Sequence, residues 1–317
     1  MKGQFIISLD FELHWGVFEV RDIGHSREYF LNTRKVIPLI LNLFKEYDIA
    51  CTWATVGFLF ANSKKQLEDF KPRVLPSYYN SKLNYYDFFN QVGDNEKTDP
   101  FHFAPSLIEK ILETSKQELA SHTFSHYYCL EKGNNEVSFR EDLLAAQHIS
   151  KTIFGVQLES LVLPRNQFEQ NYLKVIADCG FKTVRNNPDV WFWKTENRYI
   201  SSFSRAMDTI VPISTSLCFN KAGSDSNLSL IPASRFFRPY SKKEEAIQSL
   251  KIKRIKNEML HAAKNGLYYH LWWHPHNFGN YPQENLKQLE DLLKYYQYLN
   301  SKFGFTSVSM NTFNMSY

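Results

Sequence analysis

Short apolar runs alternate along this chain with longer stretches of helical periodicity. Residues 4–9 (QFIISL) are β-branched and apolar on both faces, the pattern of a strand buried on both sides. Val36, Ile37, Ile40, Leu41 and Phe44 then recur at helical spacing within 29–47, and Pro38 predicts a kink or a start near residue 37. Residues 49–56 (IACTWATV) read as a second strand, closed by Gly57. Strand, loop, helix and strand make a βαβ unit, which implies a parallel sheet. The cycle repeats. Helices are expected over 105–116, 138–153, 169–178, 242–264 and 283–302, and strands over 118–121, 160–163, 181–184, 267–273 and 305–309, with another at 210–213. Residues 217–240 read as loop. The polar stretch 61–104, rich in Tyr, Asn and Lys and carrying Pro72, Pro76 and Pro100, breaks the rhythm and predicts an insertion over one end of the fold.

Titratable residues cluster where predicted strands end: Asp10 and Glu12, His122 and His126, Arg165, then His274 and His276. A (β/α) barrel gathers its site in this way, at the C-terminal ends of many strands, whereas an open doubly wound sheet gathers it at one switch point. The expectation is therefore a single α/β domain over 1–317, with the insertion at 61–104 and a loop and helix excursion at 217–264.

Composition narrows the functional classes. A net charge of +4 over 317 residues is small, and the densest basic run, KIKRIK at 251–256, reads as the solvated face of a helix, so no nucleic-acid partner is expected. Cys51, Cys129, Cys179 and Cys218 show no CxxC spacing and read as separate thiols. The N-terminal residues lack a basic region followed by a long apolar run, and no apolar run approaches ~20 residues. The expectation is a soluble, cytoplasmic protein with no transmembrane segment. Neither GxGxxG nor GxxxxGK[ST] occurs, so nucleotide cofactors have no support.

Period-two geometry points Asp10 and Glu12 to one side of a strand end, and a spacing of four puts His122 and His126 on one face of a helical turn. Two imidazoles and one carboxylate can hold a divalent ion with an open position for water. The other carboxylate is then available as a base, Arg165 as the cation that keeps it ionised, and His274 or His276 as the acid. Trp15, beside the acids, reads either as a sugar-stacking platform or as a packed rim residue. Arg235 and Arg238, among aromatics, could meet a diphosphate or fix a helix start.

The ordered set Ser8-Leu-Asp-Phe-Glu12, Thr52-Trp-Ala-Thr-Val-Gly57, Ser121-His-Thr-Phe-Ser-His126, Pro164-Arg165 and Trp273-His274-Pro-His276 resembles the polysaccharide deacetylase (NodB-homology) family along most of the chain. That resemblance implies a distorted (β/α)7 barrel and metal-dependent removal of N-acetyl, less often O-acetyl, groups from sugars, with zinc the usual ion. It makes Asp10 the general base, Glu12, His122 and His126 the metal ligands, Arg165 the partner of the base, and His274 the acid with His276 as second choice. Phe11 stands where many members carry the metal-binding aspartate, and Pro164 precedes Arg165 instead of following it. Asp189 and Trp191 are the counterparts of the element that orients the acid. Trp15, Trp191, Arg238 and His276 are the expected substrate contacts. The expected substrate is an acetylated sugar or a surface-glycan precursor. A metal-dependent amidase on a small non-sugar amide and a non-catalytic glycan-binding protein are the competing classes.

Overall fold

Strand β1 (Gln4–Phe11) is buried over almost its whole length and has neighbours on both sides. In the computed structural model, which describes residues 2–167, 170–195, 198–211, 213–214 and 217–314, nine further strands follow. These are β2 (Cys51–Thr55), β3 (Gln117–Ser121), β4 (Ser160–Val162), β5 (Thr183–Asn186), β6 (Gly223–Asp225), β7 (Leu228–Pro232), β8 (Arg235–Phe236), β9 (Tyr268–Trp273) and β10 (Thr306–Val308). The sheet runs β6-β7-β5-β4-β3-β2-β1-β9-β8, and β10 pairs with the first half of β1. Among the described residues every pairing between these strands is parallel except the β6–β7 hairpin, and an isolated antiparallel bridge joins Phe219 to Tyr268.

The two ends of that path share one run of chain. Residues 228–232 pair with β5, and 235–236 pair with β9. Between them Ala233 N donates to Asn186 O at 2.9 Å, and Ser234 N to His270 O at 2.8 Å. A single extended segment thus bridges β5 and β9, and the sheet curls into a distorted seven-position barrel. Residues 217–240 are therefore not loop: they carry three strands and the barrel's closure. The hairpin that starts them turns on Ser226 and Asn227, with φ of 49° and 63°, the positive values a tight β-turn demands.

Alternation sorts the side chains. Phe5, Ile7, Leu9 and Phe11 face outward into the large core beneath the helices, and each such burial stabilises by roughly 1.5–3 kcal/mol. Ile6, Ala54, Val162, Ile231 and Met310 form the small apolar plug of the interior. Ser8 and Asp10 follow Ile6 on the same face of β1, so the interior turns polar toward the strand C-termini. The flanking helices include Ile23–Glu46, which continues through Pro38, and Glu136–Phe154, whose N-cap Asn135 accepts from Ser138 N. The expected strand at 210–213 does not form among its described residues, and Pro212 lies outside them. The stretch 61–104 contributes the helix Lys64–Asp69 and the 3-10 segment Tyr85–Gln91.

Candidate metal and catalytic site

The end of β1 delivers Asp10 and Glu12, and the end of β3 delivers His122 and His126. Ser121 to His126 is not a turn of helix but a tight loop, with positive φ at Thr123 (63°) and His126 (59°). Side chains and neighbouring backbone hold it there. Asp142, on helix Glu136–Phe154, accepts from Phe124 N (2.7 Å), Ser125 N (3.1 Å) and Ser125 Oγ. Thr123 Oγ1 accepts from Tyr127 N at 2.7 Å, while Gly57 N and Phe58 N donate to Thr123 O and Phe124 O. The outcome expected of a helix is reached by another route: the two imidazole centroids lie 5.2 Å apart.

Glu12 Oε2 lies 3.3 Å from His122 Nε2 and 3.1 Å from His126 Nε2. All three residues are buried, and their donor atoms fall within 4.8 Å of one another. Each ring has its other nitrogen fixed. His122 Nδ1 donates to Val162 O at 2.9 Å, which leaves the Nε2 lone pair facing inward. His126 Nδ1 meets Tyr128 Oη at 2.9 Å; Tyr128 Oη meets Tyr85 Oη at 2.7 Å, and Tyr85 Oη donates to Glu19. Read from the carboxylate, that relay makes His126 Nδ1 a donor and its Nε2 an acceptor. Burial would raise the Glu12 carboxyl, but the His274, His122 and His126 rings outweigh it and hold it well below the ordinary range. Burial pulls His126 down, against the opposing pull of Glu12. Two neutral imidazoles and an ionised carboxylate are the state a divalent ion needs, so these residues fit one. Gly16 closes over the carboxylate so tightly that a Cβ there would sit 1.9 Å from Glu12 Cδ.

Asp10 is buried and outside this donor set. Arg185 Nη1 and Nη2 donate to its two oxygens at 2.6 and 2.7 Å. Burial pushes the Asp10 carboxyl up, but the Arg185 guanidinium overrides it and holds the carboxyl below its usual value. Arg185 is itself positioned by Ser8 Oγ (3.0 Å), Asn166 Oδ1 (2.9 Å) and the Trp272 ring, whose centroid is 4.5 Å from Cζ. Ser8 then donates to His270 Nε2 at 2.8 Å, and His270 Nδ1 to Pro232 O at 3.1 Å. The partner of Asp10 is therefore Arg185, not the expected Arg165. Arg165 takes φ of 55°, turns outward over the Tyr128 ring and pairs with Glu19, at the far end of the His126 relay.

His274 Nε2 lies 3.6 Å from both Asp10 Oδ2 and Glu12 Oε1, and its side chain is 25% exposed. The Asn277 side-chain amide meets its Nδ1 at 3.3 Å, which turns Nε2 inward. His276 is buried, and its Nδ1, 3.6 Å from Glu12 Oε1, has no hydrogen-bond partner. Burial depresses His276 to about 3, so it stays neutral, against Glu12's opposing pull. Of the expected substrate contacts, Trp15 is fully buried, donates to His102 O at 2.9 Å and packs on Phe58, so it offers no face to a sugar. Trp191 is 56% exposed, and the tryptophan beside His274 is Trp272, with ring centroids 5.7 Å apart. Arg238 does face the space beside His274; Arg235 is committed to buried pairs with Asp208 and Glu258.

Sequence reading missed Arg185, Ser8, Tyr85, Tyr128 and Glu19. A signal existed for the first: a lone arginine inside the strand Thr-Val-Arg-Asn, on the same face as Thr183.

The family model described as Polysaccharide deacetylase matches residues 22–184, 163 of the 317 positions. It takes in His122 and His126; Asp10, Glu12, Arg185 and His274 lie outside it and join the site through geometry alone. No curated protein matches by sequence. Among solved structures, a Mycobacterium smegmatis protein assigned as a polysaccharide deacetylase superposes with TM-score 0.60 at 13% identity, covering 98% of this chain and 89% of that one. A Pseudomonas aeruginosa PAO1 protein with the same assignment gives 0.52 at 12%, covering 93% and 84%. The 4-alpha-glucanotransferase of Thermococcus litoralis gives 0.57 at 10%, covering 100% of this chain and 41% of its own length. At these identities the likeness shows the fold, which different reactions share.

Proposed function

The chain belongs to the polysaccharide deacetylase family, and from that premise we propose that it is a metal-dependent hydrolase that removes an N-acetyl group from a sugar or glycan precursor. The observation that carries this reading is a division between two neighbouring carboxylates. Glu12 faces the Nε2 atoms of His122 and His126, while Asp10, two residues earlier, is paired with Arg185 and left out of the donor set.

Glu12, His122 and His126 would hold the ion, and a set of two imidazoles and one carboxylate favours zinc. Such an ion, when bound, polarises the acyl carbonyl and makes water a better nucleophile near neutral pH. Asp10, kept ionised by Arg185, takes a proton from the attacking water as its oxygen bonds to the acyl carbon. His274, partly open to solvent, acts as the imidazolium: it gives its Nε2 proton to the amine as the C–N bond breaks and returns to the neutral ring, releasing acetate and a free amino sugar. His276 is closed off and neutral, and its ring, with Nδ1 3.6 Å from Glu12 Oε1, walls that side of the carboxylate from solvent.

The test is acetate release by metal-analysed protein from N-acetyl sugars, O-acetyl sugars and small amides. Stoichiometric metal with turnover of N-acetyl sugars is expected, and Asp10→Asn should abolish turnover while metal content holds. Turnover confined to non-sugar amides, or full activity of Asp10→Asn, would overturn the proposal.

A further inference from the structure

Beside His274 the barrel mouth opens into a cavity of about 240 Å³. That is below the ~300–1,000 Å³ typical of pockets for drug-sized ligands, so it suits one sugar-sized unit and its substituent. Trp193, Phe236 and Trp272 give it flat apolar walls, a surface that pyranose rings stack against. Its charge is lopsided. Among the described residues three arginines, Arg205, Arg235 and Arg238, line it against one carboxylate, Asp208.

That carboxylate is spent. Asp208 Oδ1 accepts from Ile213 N, Ser214 N and Ser214 Oγ, and Oδ2 accepts from Arg235 at 2.9 Å. Arg235 is equally committed, to Asp208 and, through Nε and Nη2 at 2.7 Å each, to Glu258. Arg238 differs: among the described residues its one ion-pair partner is Glu244, which lies 3.6 Å away and is already bonded to Lys251. Arg205 stacks on Trp193, with Cζ 4.7 Å from the ring centroid. A guanidinium on an apolar wall binds a planar or tetrahedral oxyanion better than it binds water-exposed hydroxyls.

We propose that this cavity binds an anionic group, phosphate or carboxylate, carried by the substrate sugar, with Arg238 as its main contact and Arg205 beside it. The inference rests on the deacetylase reading only in calling the ligand a substrate.

Deacetylated products allow binding to be measured without turnover. Calorimetric titration of the zinc-loaded protein would compare glucosamine with glucosamine 1-phosphate and with glucosaminuronic acid, so the two anionic arms separate phosphate from carboxylate. At least one anionic sugar should bind roughly tenfold or more tightly than glucosamine, with the preference shrinking as salt rises. Arg238→Met should bring the anionic-to-neutral ratio toward one. Equal affinities for all three in the wild type, or an undiminished ratio in Arg238→Met, would overturn the proposal. The deacetylase reading fails separately: no acetate from any acetylated counterpart, with Arg238-dependent binding intact, leaves the cavity assignment standing.

Discussion

Replacing Arg185 with methionine keeps an unbranched apolar stem and deletes the charge and donors. Asp10 and Arg185 are 2% and 3% exposed, so solvent cannot take over the lost contacts. Two charge-assisted hydrogen bonds disappear, at 2.6 and 2.7 Å. Each contributes about 1.5–3 kcal/mol, and breaking a buried pair typically costs about 3–5 kcal/mol of stability. The sign of the pH effect follows. In the wild type the depressed Asp10 carboxyl contributes stability above its unfolded value, lost as pH falls through the folded one. Without Arg185 burial, which favours the protonated form, is opposed only by His122 and His274. A protonated Asp10 cannot accept a proton from water. Loss of about 3 kcal/mol of support for the ionised form moves the acid limb of the kcat/KM profile up by roughly two pH units, so the loss is greatest in acidic solution and activity is largely regained toward neutrality. Arg185→Lys, which keeps the charge but not the fork, should fall between. The assay is kcat/KM for acetate release against pH, with metal content and a denaturation midpoint measured on the same sample. A folded, metal-loaded Arg185→Met protein with an unmoved acid limb would refute the reasoning.

Three other changes probe different parts of the site. Tyr85→Phe cuts the relay from Glu19 to His126 and should weaken metal binding about 10–100-fold, read by competition with a chelator; an unchanged affinity would show that the relay does not orient the ring. Gly16→Ala places a Cβ 2.0 Å from Glu12 Oε1, so the carboxylate must move, and elemental analysis should find metal well below one per chain while far-UV circular dichroism stays native. Glu118 is fully buried, receives Thr52 Oγ1, Ser160 Oγ and Asn311 N, and is pushed by burial up to about 7. Its raised value means stability is greatest below the unfolded carboxyl range and declines as pH rises to about 7. Glu118→Gln should therefore remove a loss on the order of 2–3 kcal/mol between pH 5 and 8, seen in urea denaturation at the two pH values; parallel pH dependence in both proteins would contradict this.

The groups at strand ends were readable because the barrel exposes them there for a structural reason: the interior face of β1 alternates Ile6, Ser8, Asp10, and the chain then carries Glu12 to the same mouth. His122, His126 and His274 follow strands in the same way. Partners were harder to read. Arg165 follows a strand too, but a left-handed φ of 55° sends its side chain outward, which no local pattern announces. Tyr85 and Tyr128 are two of 18 tyrosines, and Tyr85 comes from a stretch that looks like a peripheral insertion. The metal-ligating loop was expected as helix because spacing of four is the helical signature; Asp142, Thr123 and Ser121 hydroxyl and carboxylate contacts produce the same spacing of rings without one.

The arginine on Asp10 and the stretch 217–240, expected as loop, are tied together by the topology of the sheet. Along the sheet, β5 and β1 are separated by β4, β3 and β2. Strands about 4.8 Å apart put them roughly 19 Å from each other in an open sheet, beyond the reach of an arginine. The 2.6 Å contact between Arg185 on β5 and Asp10 on β1 therefore requires the sheet to curl until those strands face each other across its interior. The segment 228–236 does this, pairing with β5 through its first half and with β9, the neighbour of β1, through its second. Without that segment the barrel would stay open and Arg185 would sit on a far strand. Read as the closing strand, it brings Arg185 across to the carboxylate it keeps ionised, and it also lends Pro232 O to His270 and Phe236 to the wall beside His274. Closure of the fold and ionisation of the base are thus the same structural event.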